Sequence, residues 1–339
     1  MTTALSVLDP AIIPSGLTAA DTVAASVALA RHAEELGYRR LWVTEHHNHP
    51  GLAMGTPPVL MAHLAARTNR LRIGSGGVML PNHAPLTVAE QFALLAALHP
   101  GRIDLGVGRG PGTDPAAARA LRRADAHDFP QAVAELQAFL GGREWPPGHP
   151  YGTIRTVPEP VAPPPLWILG SSTYGARLAA AAGLPFAFAH HFGGGDAEPA
   201  LRLYRDTFRP SAARDRPRTL VTVTVVAADT AAEARRHAAS QELVQLRIAR
   251  GLPDALLPAD EAAARLGGGA TPFGASAVVG DPFTVRDELG RLMKSTGADE
   301  LMVNTCVHDQ RARLRSYALV AEVMAAGWGS GRRRTAPSK

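Results

Sequence analysis

Thr44-Glu45-His46-His47 places a carboxylate and two imidazoles on three consecutive positions, the densest set of proton-handling groups in the chain. Successive side chains of a strand point to opposite faces, so His46 and His47 cannot both reach one ion from a common face without a bend. No HExxH spacing occurs either, and no metal site is expected. One histidine is therefore read as a general base or hydrogen-bond donor, because imidazole ordinarily titrates near working pH. The other packs. Glu45 is either a direct participant or the acceptor that holds a neighbouring imidazole or amide.

Four further clusters carry chemistry. Gly76-Gly77 marks either a turn or a place where a flat ligand approaches the backbone closely. Arg109 between Gly108 and Gly110 suits a bidentate hold on a phosphate or carboxylate, with a surface ion pair as the alternative. Ser171-Ser172-Thr173 precedes a helical pattern, which makes it an N-cap and also an anion site, since free N–H groups gather there. His190-His191 adds a second imidazole pair.

What must position these groups is an alternation of short apolar runs with helical patterns. Strands are expected at 4–8, 40–44, 71–75, 103–107, 166–169, 186–189, 219–226 and 300–304, each followed by a helix-like segment. Eight βα units in succession imply an α/β fold, a (β/α)₈ TIM barrel with insertions, in which functional groups sit at the C-terminal ends of the strands. The five clusters all stand at such ends. The first helix is read over 21–36, with Asp21 as its cap and Gly37 at its end. The Pro- and Gly-rich stretch 142–165 reads as an excursion, and 251–280 as a long loop of the kind that forms lids, followed by an extra helix over 282–295. Residues 1–328 are expected to form one domain and 329–339, with Arg332 to Arg334, a basic flexible tail.

Composition narrows the classes. An apolar fraction of 46% and a charged fraction of 19% fit an ordinary globular chain. The net charge of +5 and pI near 9.8 come from arginines spread along the sequence, so nucleic acid is not an expected partner. Cys306 is the sole cysteine, which excludes an intrachain disulfide and fits a cytoplasmic setting. No apolar run reaches membrane-spanning length, so no membrane is expected.

The runs 72–81 (RIGSGGVMLP) and 101–110 (GRIDLGVGRG), with Thr44-Glu45-His46-His47 before them and Asp299-Glu300-Leu301-Met302-Val303 near the end, resemble the bacterial luciferase-like flavin monooxygenases. The resemblance runs from about residue 4 to 326. It implies reduced FMN bound at the C-terminal mouth, supplied by a separate flavin reductase, with O₂ activated as a flavin C4a-hydroperoxide to hydroxylate or epoxidise a small organic substrate. By the same resemblance Gly76-Gly77 forms a non-prolyl cis peptide against the flavin. Arg109, Ser171, Ser172, Tyr174 and Gly175 hold the cofactor, and His46, with Glu45, is catalytic. Ser6, Met79, His83, His190 and His191 line the substrate cavity, and a homodimer forms through the second and third helices. Gly108 stands where the light-emitting α subunit has a reactive cysteine and Ser171 where it has a glutamate. These departures point away from light emission and toward the single-subunit branch that tailors actinomycete natural products, including aromatic polyketides. An F420-dependent dehydrogenase or reductase and a non-catalytic flavin-binding subunit are the alternatives.

Overall fold

The computed structural model describes residues 3–192, 196–212, 214–250, 255–267 and 276–325. Ten strands occur: β1 (Ala4–Asp9), β2 (Arg40–Val43), β3 (Arg72–Ser75), β4 (Val78–Met79), β5 (Ile103–Gly108), β6 (Leu166–Gly170), β7 (Phe186–Ala189), β8 (Thr219–Ala227), β9 (Ala277–Gly280) and β10 (Glu300–Asn304). All pair in parallel. The order β10-β1-β2-β3-β5-β6-β7-β8 closes on itself through β10 and β8, giving an eight-stranded parallel barrel with helices outside.

The eight strands expected from the sequence are the eight barrel strands, since each is an apolar run buried on both faces. The other two strands are additions. β4 follows Gly76-Gly77 and extends the pairing of β5, while β9 adds to β8 outside the closed ring. That last strand corrects part of the expected loop at 251–280, which also contains the helix Ala259–Leu266; 251–254 and 268–275 lie outside the described residues, as does the tail at 329–339. The extra helix runs Pro282–Thr296. The first helix spans Ala19–Glu35, and its cap is Thr18; Asp21 completes a capping box by returning its carboxylate to the Thr18 N–H. The stretch 142–165 has no helix or strand.

Strand alternation sorts the side chains. Outward residues such as Val7, Leu41, Ile73, Leu105 and Ile168 join the helices in the main core. Inward residues form layers. At the middle level Leu8, Trp42, Trp167, Ala187, Leu220 and Met302 pack together, with the two indoles edge to face at 5.4 Å. Toward the N-terminal ends Arg40, only 2% exposed, bridges Asp104 and Glu300 at 2.7 Å each. Removing one member of such a buried pair costs roughly 3–5 kcal/mol, because the other charge is left unpaired. The indole plug and this ionic layer separate the two ends of the barrel, so the space above them is reached from the C-terminal mouth.

Candidate active site at the C-terminal mouth

At that mouth lies a cavity of about 500 Å³. Its floor is the indole layer: Leu8, Trp42 and Met302 line it from beneath. Gly76 and Gly77 form one wall, and the peptide between them is cis. A side chain at either would crowd its neighbours, most severely at Gly77, where the neighbour is backbone. A Cβ on Gly76 would stand 2.9 Å from Leu8 Cδ1, and one on Gly77 would stand 2.8 Å from the carbonyl oxygen of Gly106.

The segment after β2 continues the strand's alternation. Trp42, Thr44 and His46 face the cavity, whereas Glu45 turns away from it. His46 Nδ1 lies 3.2 Å from Thr44 Oγ1, and its backbone N–H donates to Met54 O at 2.9 Å. Burial, followed by the proximity of His49, pushes the His46 imidazole down to about 4. The expectation of a histidine titrating near neutral pH is thereby corrected: at pH 7 His46 is a neutral ring that can donate or accept a hydrogen bond.

Glu45 is buried and fully used. Its Oε1 accepts from His47 Nε2 and His83 Nε2, both at 2.8 Å, and from Asn82 Nδ2 at 3.3 Å, while Oε2 accepts the Met79 N–H at 3.0 Å. Burial raises its carboxyl, but the bond and charge of His83, then the His47 bond, carry it below its ordinary value. Since no oxygen is turned to the cavity, Glu45 is a positioning residue. It ties the β2 segment to the β3–β4 segment, and of the two residues expected to be catalytic only His46 faces the cavity.

The opposite side of the mouth is built by the ends of β5 and β6. The exposed Arg109 guanidinium stacks over the Tyr174 ring at 4.1 Å and has no ion pair among the described residues. Beside it begins the helix Thr173–Ala182, whose N-cap Ser172 makes no side-chain capping bond. Open N–H groups, hydroxyls and a free guanidinium therefore converge on one corner. Arg109, Gly110, Gly170 and Ser171 line the cavity there; Ser172 and Tyr174 lie exposed at its rim. Gly175 is buried, where a Cβ would come within 3.1 Å of Phe186 and 3.5 Å of Gly170 Cα. Its part is to let helix and strand approach.

Of the expected cavity residues, Met79 and His191 line it. His191 is 9% exposed, and burial pushes its ring down to about 4. Ser6, His83 and His190 do not line it. Ser6 points into the barrel but lies deeper, donating to Glu300 Oε1 at 2.5 Å; the residue of the same face that reaches the cavity is Leu8. His83 is spent on Glu45, and His190 points elsewhere, its Nδ1 buried without a partner among the described residues.

Several lining residues escape the sequence reading. His49 contributes a ring whose nitrogens are both buried without a side-chain hydrogen-bond partner among the described residues. As the third histidine of 46–49 it was visible in the sequence. Asn304 ends the last strand and Cys306 follows it, where the strand-end rule also points. The Cys306 thiol donates to Asn304 Oδ1 at 3.0 Å and is pushed up by burial to about 12, so it is no nucleophile. Gln241, Val244, Gln245 and Ile248, at helical spacing on Ala231–Ala249, roof the cavity. Only the fold reveals which face of that helix does so.

Among the described residues no group of three His, Cys, Asp or Glu is arranged to hold a metal ion, and no helix is long and apolar enough to cross a membrane.

A closed parallel barrel with one apolar, histidine-bearing mouth and an anion corner defines a class of protein, and the comparisons give the family. The luciferase-like monooxygenase profile matches residues 3–300, and the chain belongs to that family. It is similar to a luciferase-like monooxygenase of Escherichia coli K12, with 42% identity over 95% of this chain and 97% of that one. It is also similar to the N-acetyl-S-alkylcysteine monooxygenase of Bacillus subtilis, with 34% identity over 95% and 98%. Among solved structures, apo-MsnO8 superposes with a TM-score of 0.88 at 39% identity, covering 95% of this chain and 98% of that one. The same barrel at lower identity occurs in the FMN-bound oxygenating constituent of 3,6-diketocamphane monooxygenase, with a TM-score of 0.73 at 18% identity. An F420-dependent secondary alcohol dehydrogenase shares it with a TM-score of 0.69 at 14% identity. Relatives of this fold thus hold flavin-type cofactors of either kind.

Proposed function

We propose that the protein is a monooxygenase that binds reduced FMN at the C-terminal mouth and inserts one oxygen atom of O₂ into a small, uncharged, largely apolar substrate. The observation that carries this reading is the division of one cavity into an anion corner and an apolar, imidazole-lined remainder. Arg109, Ser171, Ser172 and the first turn of the helix Thr173–Ala182 would hold the FMN phosphate. Gly76 and Gly77, free of side chains, would let a planar ring system lie against the wall. At about 500 Å³ the cavity falls within the range of cofactor and small-molecule sites. The bound flavin supplies the two electrons that activate O₂, and the protein supplies position and dryness.

His46 serves as a neutral imidazole whose Nε2 exchanges a proton or hydrogen bond with the reacting groups, its orientation held by Thr44 through Nδ1. Leu8, Ile12, Leu52, Val244 and Ile248 exclude water. Arg109 is the one Arg or Lys among the described residues that line the cavity, and the phosphate would claim it. A substrate carboxylate would have no cation left. Aromatic polyketides and neutral thioethers both satisfy this requirement.

A separate reductase would provide the reduced flavin. A homodimer through the helices Pro57–Ala65 and Pro85–Leu98 is supported by the outward Val59, Leu94 and Leu98, which are 69%, 51% and 59% exposed. The F420-dependent reading fits the same barrel, whereas the presence of both His46 and Arg109 at the mouth argues against a non-catalytic subunit.

The test is turnover of photoreduced FMN, ¹⁸O₂ and a panel of polycyclic aromatics, alkyl thioethers and alkanals, read by mass spectrometry. One ¹⁸O in an aromatic or thioether product is expected. Incorporation into alkanals only, or no incorporation with any substrate, contradicts the proposal.

A further inference from the structure

The N-terminal end of the barrel holds a second cavity, of about 520 Å³, on the far side of the indole layer. Its lining contains five arginines, Arg39, Arg40, Arg72, Arg214 and Arg218, against one carboxylate, Asp104. Among the described residues the only other carboxylate bonded to these arginines is Glu300.

Both carboxylates are saturated. Asp104 accepts from Arg72 Nε and Nη2, from Arg40 Nη1 and from the Trp42 indole. Glu300 accepts from Arg40 Nε and Nη2, from Ser6 and from Arg218 Nη2. The layer therefore balances two of the five positive charges. Arg40 and Arg72 are fully engaged, and Arg218 uses a single nitrogen. Arg39 and Arg214 have no side-chain hydrogen bond or ion pair among the described residues. Burial, and then the charge of Arg218, hold the Arg39 guanidinium below its ordinary value, with Glu300 opposing and Arg40 and Arg72 adding to the effect. Like charges have thus been gathered against their mutual repulsion.

Two further polar side chains line the same space. Gln137 is 9% exposed, and its amide has no protein partner among the described residues. The Trp167 indole N–H is buried and likewise unpaired. The remaining walls, Leu140, Pro163 to Pro165, Leu166 and Leu184, are apolar. A purely solvated charge cluster has no need of such walls. Guanidinium forks with free donors bind oxyanions through charge-assisted pairs, and a half-enclosed cavity strengthens them over what bulk water allows.

We propose that this N-terminal cavity binds a small organic dianion, a phosphate monoester or a short dicarboxylate, through Arg39, Arg214 and Arg218, with Gln137 as a neutral donor. This site is independent of the flavin reading, which concerns the other end of the strands.

Calorimetric titration of the full chain with glycerol 3-phosphate and with succinate tests it and separates the two sources of dianion. One site per chain is expected for at least one of them. Its affinity should fall about tenfold or more in Arg214→Ala and in Arg39→Gln, fall with added salt, and stay unchanged in Arg109→Ala. Arg39 and Arg214 make no bond that the fold depends on, so both variants should melt with the wild type when no ligand is present. Binding that Arg109→Ala abolishes and the other two variants leave intact would place the anion at the C-terminal mouth and overturn the proposal. So would the absence of binding to both probes at millimolar concentration.

Discussion

Replacing Glu45 by Gln tests whether this carboxylate positions the mouth or takes part in the chemistry. The wild-type group accepts four hydrogen bonds, three at Oε1 and one at Oε2. A glutamine keeps the volume but offers a single carbonyl oxygen. If that oxygen faces His47, His83 and Asn82, the amide nitrogen meets the Met79 N–H, and two buried donors confront each other. Loss of one bond to a charged acceptor and exposure of an unpaired donor cost roughly 3 kcal/mol together. Unfolding entropy of about 2.1 cal/mol/K per residue amounts to about 0.7 kcal/mol/K for 339 residues, so the midpoint should fall by about 4 °C. Thermal unfolding followed by circular dichroism measures this, beside turnover at a temperature where both proteins are folded. A lowered midpoint with much of kcat retained is expected. An unchanged midpoint with turnover lost would refute the assignment and return Glu45 to the reacting groups.

His46→Ala should lower kcat by about 10²–10⁴ while leaving flavin affinity within a few fold, read by flavin fluorescence titration; equal turnover would reject its role. Arg109→Ala should weaken FMN binding about tenfold or more and leave riboflavin, which lacks the phosphate, unaffected. His191 has a folded-state value near 4 against about 6.5 unfolded, so its contribution is present above pH 6.5 and is lost as the pH falls toward 4. At about 1.4 kcal/mol per pH unit the loss is roughly 3 kcal/mol, and urea unfolding of His191→Gln should show a correspondingly flatter acid limb. Gly77→Ala should destabilise the chain and abolish cofactor binding, because its Cβ meets the Gly106 carbonyl; a stable, flavin-binding variant would show that the wall can yield.

The barrel was legible because each of its strands is a buried apolar run bounded by breakers, a pattern set by local sequence. β4 was not, being two residues long after Gly76-Gly77, and β9 is a four-residue run at the end of a glycine- and proline-rich stretch, too short to stand out before its pairing with β8 is seen. The mouth was legible through the strand-end rule. What the rule lacks is depth and rotation. Ser6 and Leu8 share a face of β1, and only the register with β10 shows that one meets Glu300 and the other the cavity. Alternation separates His46 from His47 but cannot tell that Glu45 is already claimed by His83, 38 residues away. Nor could a sequence reveal that burial takes His46 out of the neutral titration range.

The most direct test of the central claim is competition between cofactors. Anaerobic titration of the apoprotein with FMNH₂, FMN and F420, followed by fluorescence, should give one FMNH₂ site per chain that Arg109→Ala weakens and F420 does not displace. Tight F420 binding with no measurable affinity for either form of FMN would contradict the account.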